Sequence, residues 1–498
     1  MNKIIITPLQ ALCHALFPAL FPALFLALCM ALSSSNAIAE SDADGVAEKD
    51  WGIAVGFRIA RIPFATEEEQ VADFIPLMFY DGDIFFIKGL TGGIKLYDEN
   101  QWQLNLISRY RYFDIPAEYQ NLIRGSALDL GVQLQRRHNN GMIGSIELMS
   151  DSENRYYGTL NSSFHWDSGS WDLIPYATLR YKSASFNAYY YGLDGFTPPV
   201  STAETIDNRI GAGVDLTIGS EIRYHVASNF YLLGRAQLTT LDKNARDSQF
   251  IDNGTYGEVY LGIAFFNDKT RAKAPSLKAK PYIRVAHGWG TPSNFGDILA
   301  FDWEADEQDN QITSIFYGHP IADDLFGFDL IDVYITTGYI YHHNADIFKQ
   351  TLTPGQGINS PEFVGLGDNP CNGTSDCEIT YFGESSNEYA LGIKAYFNIN
   401  WPIHWRIGLA EGLSYIDHVS DLEQREMDRK GYRSSKLMNY IDATADFSIG
   451  DLFRSPSMKD LFLGIGIHHR SSIFETSSAF GRIKGGSNFN SVYLQYHF

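Results

Sequence analysis

A histidine and a serine near the carboxyl end of the chain have the types and spacing that acyl transfer requires. His469 and Ser471 end an alternating segment in which Leu463, Ile465 and Ile467 occupy the same face of a strand. Residues i and i+2 of a strand lie about 6–7 Å apart at their Cα atoms, so the two side chains are within reach of each other. A serine hydroxyl becomes a nucleophile when a histidine takes its proton and a third polar group orients that histidine. The pair predicts an esterase-type site on the apolar face of the strand.

The same segment resembles a PagL-type lipid A 3-O-deacylase, which has a His-x-Ser pair in its penultimate strand. The resemblance implies that His469 is the catalytic base and Ser471 the nucleophile. The acidic residue of that family falls near Asn488 when the chains are aligned from their carboxyl ends, and an amide orients a histidine less well than a carboxylate. Glu475 has the correct parity to substitute if the strand extends that far. We favour the alternative that residues 468–475 form a polar rim, because motifs this short arise by chance.

The strand that would carry these residues is one of many short alternating segments. Apolar residues alternate with polar residues or glycine over residues 51–61, 101–110, 126–135 and 256–266. After residue 40 no stretch approaches the roughly eighteen consecutive apolar residues of a membrane-spanning helix. Period two gives each strand one apolar and one polar face. The pattern fits either a soluble β-sandwich or a transmembrane barrel.

The carboxyl terminus favours the barrel. Val492, Leu494, Tyr496 and Phe498 alternate with polar residues, and a terminal phenylalanine that closes such a strand resembles the signal that the barrel-assembly machinery recognises. We predict an all-β protein, a transmembrane antiparallel outer-membrane β-barrel with Tyr496 and Phe498 as its assembly signal. Its 29 Tyr and 33 Phe would form girdles at the membrane interfaces. Outer-membrane lipid and lipopolysaccharide would surround it.

The amino-terminal residues predict export. Lys3 precedes an apolar stretch over residues 9–32, and small residues Ala37 and Ala39 follow it, which is the pattern of a cleaved Sec signal. We predict a signal peptide over residues 1–39 with cleavage after Ala39, although the stretch is long enough to anchor a chain in a membrane. The net charge of −21, from 38 Lys+Arg and 59 Asp+Glu, argues against binding to nucleic acid.

The mature chain is predicted to have two halves. Residues 268–280 contain five basic residues and a proline without alternation, which indicates a linker. A strand and its connection take about 20 residues, so the halves at 40–267 and 281–498 would each supply about ten strands. We expect two tandem barrels of about ten strands each, with one wide barrel as the alternative.

The first half resembles the MipA/OmpV family of outer-membrane proteins over about residues 50–267. The residues that carry the resemblance are Phe74–Phe86, Gly89, Gly92, Gly93, Leu179–Gly192 and Tyr260–Phe266. The resemblance implies a scaffold whose partners are a murein lytic transglycosylase and a murein synthase. We interpret Tyr189, Tyr190 and Tyr191 as girdle aromatics rather than as a site.

Other candidate sites are weaker. Cys371 and Cys377 lie in a Pro/Gly-rich loop and, in an oxidising compartment, predict a disulfide rather than a metal site. His342 and His343 are adjacent, so they point to opposite faces of a strand and cannot hold one metal ion together. The acidic run at 302–309 is interpreted as a solvated loop. We expect no metal and no cofactor.

Three functions remain open. We favour an assembly or scaffold protein of MipA/OmpV type, because that resemblance spans a whole half of the chain. A lipid A deacylase that uses His469 and Ser471 is the first alternative. A passive pore is the second, although side chains fill the lumen of a barrel of about ten strands and leave little room for conduction.

Overall fold

The structure, a computed structural model, describes eleven ranges of the chain. They are residues 51–65, 70–114, 127–138, 141–192, 210–227, 229–266, 277–325, 330–360, 369–432, 434–471 and 486–498. The predicted signal at 1–39 lies outside them, as do Glu475 and residues 268–276 of the predicted linker.

Alternating side chains make most of the described chain antiparallel β-structure. The strands form two barrels, one in each half of the chain. Leu104 and Leu106 point outward and are exposed, whereas the intervening Gln103 and Asn105 point inward and are buried. An apolar exterior around a polar lumen is the arrangement of a barrel in lipid. The prediction of an all-β fold with two antiparallel barrels is confirmed.

In its described residues the first barrel has thirteen strands, which pair in chain order. They are β1 (Trp51–Arg61), β2 (Gln70–Asp81), β3 (Phe85–Gly89), β4 (Thr91–Glu99), β5 (Trp102–Arg111), β6 (Ala127–Arg137), β7 (Met142–Ser150), β8 (Tyr156–Phe164), β9 (Trp166–Ser168), β10 (Trp171–Lys182), β11 (Gly213–Ala227), β12 (Phe230–Thr240) and β13 (Thr255–Phe266). The pairing of β1 with β13 closes the sheet. Because β8 and β9 pair one after the other with β10, they share one position, and the barrel has twelve.

The inner end of a barrel is defined here as the end where its first strand begins and its last strand finishes, and the outer end is the opposite one. At the outer end of the first barrel, the connection after β10 forms helix α1 (Ala184–Gly192), and the connection after β12 forms helix α2 (Lys243–Arg246). The Ser183 hydroxyl accepts a hydrogen bond from the Phe186 amide at 3.2 Å, which caps the start of α1.

Helix α1 packs into the lumen of the first barrel. Phe186, Tyr190 and Tyr191 are almost fully buried with Ile107 and Tyr157, which lie on inward faces of β5 and β8. The interpretation of Tyr189, Tyr190 and Tyr191 as girdle aromatics is therefore wrong. The alternating pattern of a strand ends with β10. The aromatic residues that follow belong to α1, and their side chains lie inside the barrel.

Within the described part of the chain, the second barrel closes with eight strands. They are β14 (Tyr282–Thr291), β15 (Gln311–Leu325), β16 (Ile331–His342), β19 (Ser386–Ile399), β20 (Trp405–Ile416), β21 (Leu437–Ser448), β22 (Leu461–Ser471) and β23 (Gly486–His497). Strands β17 (Phe348–Leu352) and β18 (Cys377–Tyr381) form a separate two-stranded sheet in the connection between β16 and β19. The short helices are α3 (Phe295–Leu299), α4 (Asp421–Lys430) and α5 (Ile449–Leu452), with 3₁₀ turns at Gly357–Asn359 and Pro456–Met458.

The two strand numbers, twelve and eight, lie on either side of the ten expected for each barrel. The second barrel uses many residues in connections at its outer end, where β17, β18 and α4 are formed. The first barrel joins several neighbouring strands by turns of two to four residues, for example between β4 and β5. The estimate of ten strands assumed the same average length for every strand and connection. It could not show that the connections are longer in the second barrel than in the first.

Charged side chains fill the lumen of the second barrel. Asp442 accepts hydrogen bonds from Arg284 at 2.7 Å and from Lys394 at 2.5 Å, and all three residues are buried. Arg406 forms a two-pronged pair with Asp446 at 2.8 Å for both bonds. An eight-stranded barrel is just wide enough for its own side chains to fill.

No helix in the described part of the chain has both the length and the apolar character needed to cross a membrane.

Candidate functional site

The candidate site lies on the outward face of the last hairpin, at the outer end of the second barrel. Strands β22 and β23 are antiparallel, and their register places His469 directly opposite Asn488 and Ser471 opposite Gly486. Leu463 and Ile465, on the same face of β22 as His469, are exposed. The hairpin thus brings together two of the residues that the sequence singled out, from positions nineteen residues apart.

A hydrogen bond joins these two residues. The Nδ1–H group of His469 donates to Oδ1 of Asn488 at 2.5 Å, and Nδ2 of Asn488 donates to the carbonyl of Ser293 at 2.8 Å. The ring of Phe295, in α3, lies against the imidazole with 4.9 Å between centroids. These contacts fix the imidazole and leave Nε2 as the nitrogen that could accept a proton.

Ser471 is less favourably placed. Ser471 is 8% exposed, and among the described residues the side-chain partner of the His469 imidazole is Asn488 and not Ser471. Glu475 lies outside the described residues, so Asn488 is the group that orients the histidine. An amide holds the tautomer but carries no charge to stabilise an imidazolium. The arrangement therefore supplies an oriented base, with the serine unengaged.

A small cavity of about 90 Å³ adjoins the imidazole. Thr291, Phe295, His469, Asn488 and the cationic side chains of Arg425 and Lys430 are among the residues that line it. Arg425 pairs with Asp306, and Lys430 with Glu426 at 2.7 Å. The cavity combines an apolar side, a base and two cations held by carboxylates.

The acidic run at 302–309 is not wholly a solvated loop, because Asp306 is anchored. Its carboxylate pairs with Arg425 and accepts a hydrogen bond from Nδ2 of Asn310 at 2.7 Å. The side chain of Asp306 is only 2% exposed. A contact between residues 119 positions apart leaves no local pattern in the sequence.

The inward face of β22 carries a buried ionic cluster that the sequence analysis did not identify. His342 donates to Oε2 of Glu388 at 2.7 Å, and His468 donates to Oε1 at 3.0 Å. Nε of Arg470 donates to Oε2 of Glu423 at 3.1 Å. The sequence did contain one indication of this cluster. Glu388 lies an even number of residues from Lys394 on β19, so both side chains point to the same, inward face of the strand.

The two adjacent histidines separate as predicted from their spacing. His342 faces Glu388 inside the barrel, whereas Nε2 of His343 shares a hydrogen bond with the Thr313 hydroxyl at 2.8 Å. Among the described residues no group of three or more His, Cys, Asp or Glu side chains could hold a metal ion.

The connections at the outer end of the second barrel form an ordered cap. A disulfide joins Cys371 to Cys377, and the fully buried Asn359 donates from Nδ2 to the carbonyls of Leu352 at 2.8 Å and Ser375 at 2.9 Å. These contacts tie both flanks of the two-stranded sheet together.

Helix α4 is attached to this cap through Asp428. The Tyr381 hydroxyl donates to Oδ2 of Asp428 at 2.6 Å, and Gln424 donates to Oδ1 at 2.8 Å. Burial raises the pKa of the Asp428 carboxyl above its usual value, and the two hydrogen bonds oppose that rise only in part.

Closed antiparallel sheets with apolar exteriors and polar lumens define an outer-membrane β-barrel protein, because only a closed barrel satisfies every strand edge in lipid. Residues 52–266 match the family model described as MltA-interacting protein MipA. The predicted MipA/OmpV resemblance is confirmed for the first barrel, and the predicted location in the outer membrane is also confirmed.

Two relatives show how far the similarity extends. The MltA-interacting protein of Escherichia coli (strain K12) is 20% identical over 237 residues, which are 46% of this chain and 94% of that protein. Outer membrane protein Omp26La of Vibrio anguillarum is 24% identical over 145 residues, or 28% of this chain and 55% of that protein. This chain therefore spans about half the length of Omp26La.

The solved structures resemble this chain only weakly. The outer membrane protein opdK from Pseudomonas aeruginosa aligns over 90% of this chain and 99% of its own length, with 9% identity and a TM-score of 0.22. At such a TM-score the architecture has to be taken from the strand pairing of this chain itself.

Proposed function

We propose that this protein is an outer-membrane scaffold that binds a murein-processing enzyme through the periplasmic end of its first barrel. The observation that carries the proposal is the MipA match across residues 52–266, together with a relative whose name states that it interacts with MltA. A murein lytic transglycosylase of the MltA kind is the expected partner, and a murein synthase is a further one.

The turn between β2 and β3 offers a surface for that contact. It lies at the inner end, which is periplasmic in a barrel with both termini on that side. Ile84 and Phe85 are exposed at this turn. Asp83 adds a carboxylate at the same turn. Exposed apolar residues with a charged rim are typical of protein-binding surfaces.

Co-purification tests the scaffold function. Full-length protein solubilised from envelopes in mild detergent should retain the lytic transglycosylase, and Ile84→Ser with Phe85→Ser should reduce retention several-fold. Phe301→Ser, which changes an exposed aromatic residue of the second barrel's outer end, is the matched control and should leave it unchanged. Retention no greater than that of an unrelated barrel protein would count against the proposal.

A second candidate, ester hydrolysis of lipid A at the outer leaflet, is favoured by one observation, the hydrogen bond that orients His469 through Asn488. Purified protein should then release a 3-hydroxy fatty acid from lipopolysaccharide, and Ser471→Ala should abolish the release. Asn488→Asp should increase the rate, because a carboxylate stabilises the imidazolium. Ser457→Ala, at the other end of the barrel, serves as the control. Unchanged release by Ser471→Ala would remove Ser471 from the reaction.

Recognition by the barrel-assembly machinery stays a prediction. Tyr496 and Phe498 are both exposed on the outward face of the chain's carboxyl end, and this exposure supports a role as an assembly signal.

A further inference from the structure

A larger cavity, of about 400 Å³, lies at the inner end of the second barrel. It is formed by the turn between β19 and β20 and by the segment between β21 and β22, which contains α5. Its volume falls within the range of about 300–1,000 Å³ that is usual for small-molecule sites. Nothing in the scaffold or esterase functions uses it.

Two cations line this cavity without a carboxylate partner. Arg454 and Lys459 are exposed, and neither forms an ion pair with another described residue. Asp451 also lines the cavity, but its Oδ2 atom accepts a hydrogen bond from the backbone amide of His404 at 3.1 Å. In a chain of net charge −21, a cavity lined by two cations and one carboxylate keeps a net positive charge and attracts an anion.

The local backbone holds both cations in place. Arg454 has a φ of 53°, in the left-handed region that glycine adopts more easily. A Cβ atom on Gly450 would lie 2.3 Å from the amide nitrogen of Lys459, so only glycine allows this close approach. The Ser448 hydroxyl donates to the Lys459 carbonyl at 2.9 Å and so also holds the backbone at Lys459. Strained positions that the surroundings enforce are often associated with function.

Large exposed apolar side chains lie next in the chain to residues that line the cavity. Trp401 is 81% exposed and Phe453 is 68% exposed, and Leu452 and Trp405 are exposed beside them. Tryptophan and its aromatic neighbours concentrate where the hydrocarbon meets the headgroups. The inner end of the barrel faces the periplasm, so the cavity opens at the level of the headgroups of the periplasmic leaflet.

We propose that this cavity binds the phosphate of an anionic phospholipid headgroup from the periplasmic leaflet. The Arg454 guanidinium and the Lys459 ammonium donate to the phosphate oxygens, and the geometry of a guanidinium suits two such oxygens at once. Trp401 and Phe453 contact the upper part of the acyl chains. Basic pockets at membrane interfaces recognise lipid headgroups in this way.

Binding of short-chain lipids to the full-length protein in neutral detergent micelles tests the proposal. The probes are dioctanoyl phosphatidylglycerol, dioctanoyl phosphatidylcholine and inorganic phosphate, each titrated by calorimetry. The wild-type protein should bind phosphatidylglycerol at least about tenfold more tightly than phosphatidylcholine. Arg454→Gly combined with Lys459→Gln should weaken phosphatidylglycerol binding roughly 10- to 30-fold. Lys349→Gln, a charge removed at the outer end, is the control and should bind as the wild type does.

Glycine suits the backbone at position 454, so Arg454→Gly removes the cation without adding strain. If the double variant does not fold, as judged by heat-modifiable mobility on gels, Lys459→Gln alone should still weaken binding about fivefold. Trp401→Ala should weaken lipid binding and leave inorganic phosphate unaffected. Wild-type affinity in the double variant would overturn the site, and inorganic phosphate binding as tightly as the lipid would overturn the assignment to a lipid.

Discussion

The two barrels close their outer ends with helices of opposite chemistry. Helix α1 of the first barrel has no charged residue and fills the lumen with Phe186, Tyr190 and Tyr191. Helix α4 of the second barrel has seven charged residues out of ten. It inserts Leu422 among inward-facing apolar side chains and joins Glu423 to Arg470.

The difference follows from what each lumen presents. Near its outer end, the lumen of the first barrel is lined by apolar side chains such as those of Ile107 and Met149. An aromatic helix can pack against them. The lumen of the second barrel offers buried Arg470, which requires a carboxylate. A closing helix thus complements the lumen that it covers. Aromatic side chains of α1 lie in the lumen of the first barrel and ion pairs lie in the lumen of the second, and neither observation supports the passive-pore alternative.

Removal of the carboxylate from α4 should have the largest effect. Glu423→Ala leaves the fully buried Arg470 without its closest ionic partner, and we expect the free energy of unfolding of the second barrel to fall by about 3–5 kcal/mol. Urea unfolding in micelles, followed by hydrogen exchange of β14–β23 peptides, measures the loss.

Glu426→Ala is the control on the same helix. Glu426 pairs with Arg429 and Lys430 at the helix surface, so its removal should cost less than about 0.5 kcal/mol. Equal effects of the two substitutions would show that α4 stabilises the barrel by its apolar contacts alone.

A smaller effect is expected for the aromatic closure of the first barrel. The Tyr190 hydroxyl accepts a hydrogen bond from Arg111 at 2.7 Å and donates one to Asp151 at 3.0 Å. Tyr190→Phe keeps the ring packing and removes both bonds, at a cost of about 1–3 kcal/mol measured by exchange of β5 and β7 peptides. Tyr189→Phe should be close to neutral, because Arg155 contacts the face of that ring and not its hydroxyl. A cost for Tyr190→Phe no greater than that for Tyr189→Phe would mean that packing alone closes this barrel.

The smallest effect concerns the pH dependence of the cap. Because burial raises the pKa of Asp428 in the folded state, the folded cap binds this proton more tightly than the unfolded chain does. Its contribution to stability is complete below the unfolded pKa of about 4 and is lost as the pH rises through the folded pKa. Asp428→Asn should therefore reduce the extra acid stability of α4 relative to the wild type.

Amide exchange of α4, measured in both proteins at pH values from 4 upward, gives this difference. Asp421 also has a raised pKa and Glu426 a lowered one, so only the difference between wild type and variant reports on Asp428. Parallel pH profiles in the two proteins would exclude Asp428 as the titrating group.

Sequence patterns predicted the fold class because alternation is a local property. The outward position of Leu463 and Ile465 and the inward position of His468 and Arg470 follow from parity alone. The family resemblance pointed to the neighbourhood of Asn488, and the register of β22 and β23 places Asn488 opposite His469.

Other features depend on contacts between distant residues and leave no local pattern. The segment Ala184–Gly192 has a composition suited to a strand, yet it is helical because Ser183 caps it and the lumen receives its rings. Arg425 pairs with Asp306 across two connections. The position of Glu388 between His342 and His468 requires three strands to meet.

The disulfide-bridged cap also determines which surface of the second barrel a phage or an antibody can bind. Because Asn359 and the Cys371–Cys377 ring tie this surface into one folded unit, a phage or an antibody meets a shape assembled from separate parts of the chain. Synthetic peptides copied from these loops would imitate that epitope poorly, and thiol reduction would erase part of it on the intact cell.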